Sequence, residues 1–405
     1  MANAVGIIAE YNPLHRGHEF HIAESRRRAG GAPVIAAVSS NFVQRGAPAL
    51  ARKDVRAAMA LSCGVDLVLE LPFVFSSHNG GVFANAAVDI LAATGQVGFL
   101  SFGMETPDVA ALERLAAILA DEPEDFKRLL KDFLRLGYSF VQARSMALDE
   151  ITGGAGEAIN LLKQPNNNLA LAYVKRLREK QYNIVPRAIE RVGAGHNDTR
   201  GAGSATAIRE LLSNRKPEEA YSLMPSRCAE ILRDETDKGR AVYGQDRLWR
   251  AVKQALISGG TRRAADISEM REGLENRLIE AAYRAGSFDE FTDMCASRRY
   301  PKGRIRRHAI HILTGLNHAD GRTVQASGPT YIKALGMNGR GRELLAAMRE
   351  SAALPVITRS SPPRDETGVS ELIARKERAA TEIWETLTDN PRARAETMMK
   401  PVIRE

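Results

Sequence analysis

Ala4-Val5-Gly6-Ile7-Ile8-Ala9-Glu10-Tyr11 runs straight into Asn12-Pro13-Leu14-His15-Arg16-Gly17-His18. The first part is an apolar run of strand length without polar alternation, as expected of a strand covered on both faces in a parallel sheet. The polar turn NPLHRG passes into HEFHIAESRRRAGG, a short helix closed by Gly30 and Gly31. The unit then repeats. PVIAAVSS is followed by the loop NFVQRGAPAL and the helix ARKDVRAAMALSC, VDLVLEL by NGGVFANAAVDILAATG, and VGFLSFG supplies a fourth strand. This alternation predicts an α/β fold with a parallel sheet and helices on both sides. Ligands of such sheets bind beyond the carboxyl ends of the strands, near a switch point, which singles out NPLHRGH, SSNFVQRG and SFGME.

Further along, residues 107–180 read as a long helical insert, and YNIVPRAIER as a strand returning to the sheet. That strand runs into the Gly-rich loop VGAGHNDTRGAGSAT and a helix near Thr206, and Ser360–Thr367 is the best candidate for a flexible surface loop. The expected organisation is an α/β domain over residues 1–225 and a mainly helical, basic domain over residues 226–405.

With 405 residues, 44% hydrophobic and 26% charged, the composition is that of a globular protein of two or three domains. Cys63, Cys228 and Cys295 are far apart in sequence and odd in number, which excludes a disulfide framework or a CxxC zinc site and suits a reducing cytoplasm. No run of roughly 18 apolar residues predicts a transmembrane helix, and MANAVGIIAEYNP shows no signal-peptide pattern. The net charge of +8 is uneven: residues 226–405 carry 32 Lys and Arg against 25 Asp and Glu, residues 1–225 only 25 against 24. Residues 297–342 hold ten basic side chains and a single acid, Asp320. Arg298, Arg299, Lys302, Arg304, Arg306, Arg307, Lys333, Arg340 and Arg342 are the candidate nucleic-acid contacts among them, with Tyr300, His308, His311 and Tyr331 interleaved for stacking, and composition does not separate RNA from DNA. A solvated helix face is the competing reading.

His15, Gly17 and His18 stand at the junction of the first strand and helix, where free N–H groups and the helix dipole favour a phosphate. An HxxHxxH zinc site with His21 is the weaker alternative, since His15 precedes the helix. Ser204 and Thr206 open another helix, either as N-caps or as donors to the β- and γ-phosphates, with Arg209 neutralising a leaving pyrophosphate. Gln44, Arg45 and Lys53 face the same edge, as substrate contacts or as surface, and Glu10 either orients its loop or binds metal. Mg²⁺ is expected to accompany a nucleoside triphosphate held on these groups, but no carboxylate cluster declares a metal site. Trp249, Trp384 and Cys63 read as core.

HxGH on the first strand–helix turn with SxTxxR after the last strand resembles the HIGH nucleotidyltransferase superfamily. GIIAEYNPLHRGHEFH, SSNFVQRGAPA, VDLVLELPFVFS, SFGME, KQPNNNLALAYVKRL, ERVGAGHND and GSATAIRELL narrow it: together they look like the tRNA(Met) cytidine acetate ligase family. SRRYPKGRIRRHAIHIL and YIKALGMNGRGRELL extend that likeness over nearly the whole chain. The resemblance implies a Rossmann-like nucleotidyltransferase domain. It also implies activation of acetate by ATP as acetyl-adenylate, and acetyl transfer to the wobble cytidine, C34, of elongator tRNA(Met) as N4-acetylcytidine. Carried over, the ATP site takes in Ile7, Ile8, Ala9, Glu10, Tyr11, Asn12, Pro13, Leu14, His15, Arg16, Gly17, His18, Glu19 and Phe20, then Gly103, Arg191 and Asn167, with Asn166 as the second choice. The chain departs from the family at Asn168, where an Ile is expected, and at Ala47 and Arg52, where acids are common. Two other classes remain open from the residues alone: a small-molecule adenylyltransferase, and a non-catalytic RNA-binding protein that keeps an old nucleotide site.

Overall fold

The apolar runs become β1 (Ala4–Ala9), β2 (Val34–Ser39), β5 (Leu67–Leu71), β6 (Val97–Met104) and β7 (Val185–Glu190); β3 (Phe42–Val43) and β4 (Ala47–Pro48) form a small antiparallel ribbon between β2 and β5. The C-terminal part adds β8 (Ile332–Met337), β9 (Val356–Ile357) and β10 (Val402–Ile403). The computed structural model describes residues 4–105, 107–191, 203–271 and 273–405. The strand order is β10-β8-β5-β2-β1-β6-β7. From β5 to β7 all pairs are parallel, and β8 lies antiparallel on β5. The chain steps outward from β1 to β2 and β5, then crosses to the other side of β1 for β6. The switch point is therefore at the carboxyl end of β1, where NPLHRGH begins.

Both faces of this sheet are dry. Val34, Ala36 and Val38 of β2 face one core with Ile22 of helix α1 (Arg16–Arg28) and Met59 of helix α2 (Lys53–Ser62). Ile35 and Ala37 face the other, with Phe83 and Leu91 of the Gly80–Ala93 helix. All five β2 residues are fully buried, and each fully buried large aliphatic side chain contributes about 1.5–3 kcal/mol. The expected helical insert is present as five helices among the described residues, from Val109–Asp121 to Pro165–Glu179.

The C-terminal part is mainly helical, but β8 and β10 hydrogen-bond into the N-terminal sheet. The Val369–Glu385 helix also returns to the α/β region: its Trp384 is fully buried and donates Nε1–H to the Ala49 carbonyl at 2.8 Å. The expected boundary at residue 225 thus has strands from its far side built into the sheet on its near side. Among the described residues, no helix is long and apolar enough to cross a membrane.

Candidate functional site at the switch point

His15 is the N-cap of α1, and it caps with its ring. Its Nδ1 accepts the Gly17 N–H at 3.1 Å, and the Nδ1 of His18 accepts the His15 N–H at 3.3 Å. A capping box is usually built from a hydroxyl and a carboxylate or amide. Here two imidazoles serve, with ring centroids 3.8 Å apart. An Nδ1 that accepts carries no proton, so a neutral ring with this bond has its proton on Nε2. Burial first, then the Arg191 charge, lowers His15 to about 4; burial, His15 and Arg191 push His18 well below its usual value. At neutral pH the corner therefore presents two neutral rings with Nε2–H donors.

The loop carrying them is fixed on several sides. Asn12 Oδ1 accepts the Leu50 N–H at 2.7 Å, and the Asn12 carbonyl accepts from the Arg209 guanidinium at 2.5 Å. That second bond brings the SATAIR helix (Ala205–Ser213) against NPLHRG. Arg209 also donates to Thr206 Oγ1 at 3.2 Å, and Ser204 accepts the Ala207 N–H at 3.1 Å as an N-cap. Tyr11 is buried with its ring edge-on to His18, 5.2 Å between centroids. Ile7 and Leu14 are almost fully buried in the core, so their side chains shape the loop. Arg16, Glu19 and Phe20 are exposed, while Ile8, Ala9, Glu10, Gly17 and His18 are half-buried. Pro13 is buried after a cis peptide bond.

Arg191 closes the other side. Its N–H bonds to the Met104 carbonyl at 2.9 Å, and its side chain crosses Gly103 so closely that a Cβ there would stand 3.0 Å from Arg191 Cγ. Gly103 and Arg191 therefore meet at the ends of β6 and β7, and the Arg191 charge reaches His15, His18 and His21. The Gly-rich loop that follows, residues 192–202, lies outside the described residues. Asn167 is buried with its amide spent on the protein: Oδ1 accepts from Glu105 N–H at 3.3 Å and Nδ2 donates to the Leu161 carbonyl at 2.9 Å. Asn166 donates to Glu105 Oε1 at 2.5 Å.

Several expectations need correction. Lys53 is neither a substrate contact nor a surface group; it is fully buried among Glu70, Glu377 and Glu396. Lys333 lies on β8 in the same cluster, paired with Glu396 and Glu70, and is barred from an RNA surface. Tyr300, His308, His311 and Tyr331 are all buried, so none is a stacking platform. The basic block is also divided by the reversed direction of β8. The Lys302–Thr314 helix packs on the ribbon near the site, where a Cβ on Gly46 would stand 2.4 Å from the Arg307 backbone nitrogen. Arg340 instead donates to the Gly31 carbonyl, just before β2, so it and Arg342 sit at the amino-terminal edge of the sheet.

Arg298 and Arg299 are exposed, and Lys302 pairs with Asp293. Arg306 pairs with Asp289 at 2.9 Å, and Arg304 lies over the Tyr300 ring at 4.8 Å. Arg307 reaches the Gln44 carbonyl at 3.5 Å. Glu10 accepts the Gln44 N–H at 2.7 Å, the loop-orienting reading, and burial raises its pKa.

Sequence reasoning missed Arg56, which is fully buried and donates to the carbonyls of Glu10, Ser39, Ser40 and Ala51, tying together the ends of β1 and β2. Its signal was a cation on the apolar face of a helix, one turn after Lys53. Among the described residues, one set of three carboxylates comes close enough to share a metal ion: Glu70, Glu377 and Glu396. Two lysines already fill that space, and it is buried in the interior, so its chemistry does not fit Mg²⁺.

The whole chain can be compared with known proteins on this basis. The family profile described as HIGH Nucleotidyl Transferase matches residues 2–398. A tRNA(Met) cytidine acetate ligase of Clostridium perfringens is 34% identical over 99% of both chains, and one of Syntrophomonas wolfei is 36% identical over 96% of both. The crystal structure of Thermotoga maritima TmcAL bound with alpha-thio ATP superposes with a TM-score of 0.92 at 32% identity, covering 99% of each chain. The chain therefore belongs to the HIGH nucleotidyltransferase family, and within it to the tRNA(Met) cytidine acetate ligases.

Proposed function

We propose that this enzyme joins acetate to the wobble cytidine, C34, of elongator tRNA(Met), using ATP and releasing AMP and pyrophosphate. A carboxylate oxygen of acetate attacks the α-phosphorus, and the bond to pyrophosphate breaks. The N4 amine of cytidine then attacks the acetyl carbonyl, AMP leaves, and the amine loses a proton. The observation that carries this reading is the pair of imidazoles whose Nδ1 atoms are committed to backbone N–H groups at a helix N-terminus. Their Nε2–H groups donate to phosphate oxygens, and Arg209 and Arg191 offset the charge that grows on the leaving pyrophosphate. Such catalysis is positioning and electrostatics, with no enzyme nucleophile. The alpha-thio ATP bound by the Thermotoga maritima protein supports ATP as the nucleotide.

In this reading ATP lies along Ile7–Phe20 and against Gly103 and Arg191, with Ser204 and Thr206 at the phosphate end. Asn167, the first expectation, is buried with both amide atoms spent, whereas the half-buried Asn166 spends only its Nδ2, on Glu105, so the contact passes to Asn166. Mg²⁺ arrives with the nucleotide phosphates. Arg298, Arg299, Lys302, Arg304, Arg306 and Arg307 hold the anticodon arm beside the site, and the reaction takes place in the cytoplasm.

The test is conversion of α-labelled ATP to AMP, with acetate, Mg²⁺ and tRNA each present or omitted. AMP release that needs both acetate and tRNA, with N4-acetylcytidine in the recovered tRNA, is the expected result. Label retained in a stable product without tRNA would overturn the proposal in favour of a small-molecule adenylyltransferase.

A further inference from the structure

We propose that Cys63 and Cys228 are a reversible dithiol–disulfide pair that slows the enzyme when a peroxide oxidises it. The two are 165 positions apart in sequence, yet their sulfurs lie 3.4 Å from each other. Cys63 caps the C-terminus of α2, half-buried and packed against the core at its margin; Cys228 lies buried on the Ser226–Asp237 helix that packs on α2. A disulfide bond is about 2.05 Å long, so the sulfurs must close by roughly 1.4 Å. Cys295, also buried, has no such neighbour among the described residues and serves as the internal control.

The pair sits beneath the catalytic corner. Tyr11 and Cys228 lie in one buried cluster with Ala57, Met59, Ala60 and Leu61 of α2, and Cys63 packs against that cluster. Tyr11 stands four positions before HRGH and packs its ring edge against His18. The Tyr11 hydroxyl is buried without a hydrogen-bond partner, so packing alone holds it. A shift of α2 against the Ser226–Asp237 helix is passed on through Tyr11 to the His18 ring.

The chemistry balances with hydrogen peroxide as oxidant. Cys63, the less buried of the two, is held protonated by Cys228 and by burial, so it must first release its proton. The thiolate attacks one peroxide oxygen, an S–O bond forms, the O–O bond breaks, and the departing hydroxide takes up that proton and leaves as water. Cys228 then attacks the Cys63 sulfur, the S–S bond forms, the S–O bond breaks, and a second water leaves. Two thiols lose two electrons, and one peroxide becomes two waters. Transient disulfides of this kind are the form found in a reducing cytoplasm.

The effect on turnover rests on the acetate-activating reading above; formation of the bond does not. The full-length protein is treated with graded hydrogen peroxide and followed by non-reducing peptide mapping and by acetate-dependent ATP–pyrophosphate exchange. A displacement of about 1 Å at catalytic groups costs on the order of a hundredfold. A Cys63–Cys228 linked peptide with at least a tenfold slower exchange, reversed by dithiothreitol, is the expected result. Cys63→Ser and, as a second variant for the buried site, Cys228→Ala should keep the reduced rate and lose the peroxide response. No linked peptide, an unchanged rate in the linked protein, or a Cys63→Ser variant as sensitive as the parent each overturns the proposal. If the reduced protein shows no exchange at all, the acetate reading fails, and the linked peptide alone decides whether the pair closes.

Discussion

Two regions of the molecule concentrate ionisable groups, and they do opposite things with them. In the interior, Lys53 Nζ lies 2.6 Å from Glu377 and 2.7 Å from Glu396 and also pairs with Glu70, while Lys333 pairs with Glu396 and Glu70. Glu377 additionally accepts the Phe73 N–H and the Ser40 hydroxyl. Glu377 and Glu396 spend their hydrogen bonds inward, Glu70 is held by its two lysines as ion pairs alone, and the cluster ties the Val369–Glu385 helix to the loop after β2. At the switch point, His15 and His18 spend one nitrogen each on the backbone, and the proposed function gives the other to the nucleotide. Charge density therefore does not mark the functional site in this fold. Hydrogen-bonding capacity left open at the strand ends does.

The difference can be broken first from the interior. Lys53→Met removes the cation shared by three carboxylates, and leaving buried charges uncompensated costs about 3–5 kcal/mol. Urea unfolding should show that loss, and adding Glu377→Gln should recover part of it. A loss below about 1 kcal/mol would be the value of a solvated pair, and the contrast with the histidine corner would then collapse. The histidine corner should respond in the reverse sense. His18→Ala removes a preorganised donor, and acetate-dependent ATP–pyrophosphate exchange should fall by about 10²–10³-fold. Its tRNA affinity should stay close to that of the parent, and its stability should fall only by the lost capping bond, about 0.5–2 kcal/mol and less than at Lys53.

Sequence made the second region legible and hid the first, for a physical reason. β1 and HRGH are adjacent in the chain, and an apolar strand running into two histidines announces a helix N-terminus at a sheet edge. Arg209 could be joined to them because its helix follows the last parallel strand. Lys53 could not be read correctly, because its partners Glu377 and Glu396 lie more than 300 residues away on a C-terminal segment that no local pattern ties to α2. IKALGM, six buried residues between turn signals, did carry a strand pattern, but its antiparallel entry beside β5 is a tertiary fact. The same applies to the interleaved aromatics: spacing alone does not say which side of a helix is covered.

A pH series sharpens the contrast through the imidazoles. His15 and His21 are held down to about 4, burial being the main cause, against 6.5 in the unfolded chain. Between those values the unfolded chain binds protons that the native protein does not. Stability is then fully present above pH 6.5 and is lost as pH falls toward 4. The urea midpoint should decline over that window. Exchange activity should stay level from pH 8 to 6 if neutral rings are the working form. A rate that falls as pH rises through 6.5 would mean that the imidazolium does the work, and the tautomer argument would be wrong.

The smallest effect separates the two ends of the sheet. Arg306 and Arg307 stand on the helix packed against the ribbon next to the histidine corner, whereas Arg340 and Arg342 stand at the amino-terminal edge of the strands. Under the proposed function, RNA whose wobble base reaches the switch point would lie over the first pair and miss the second. Each phosphate contact contributes roughly 0.7–0.9 to the slope of log affinity against log salt. Arg306→Ala with Arg307→Ala should therefore flatten that slope by up to about 2 while leaving acetate activation in place. Arg340→Ala with Arg342→Ala should leave the slope unchanged, although these four arginines look equivalent in the sequence. The reverse pattern would put the RNA across the amino-terminal edge, too far round the sheet for its base to meet an adenylate at HRGH.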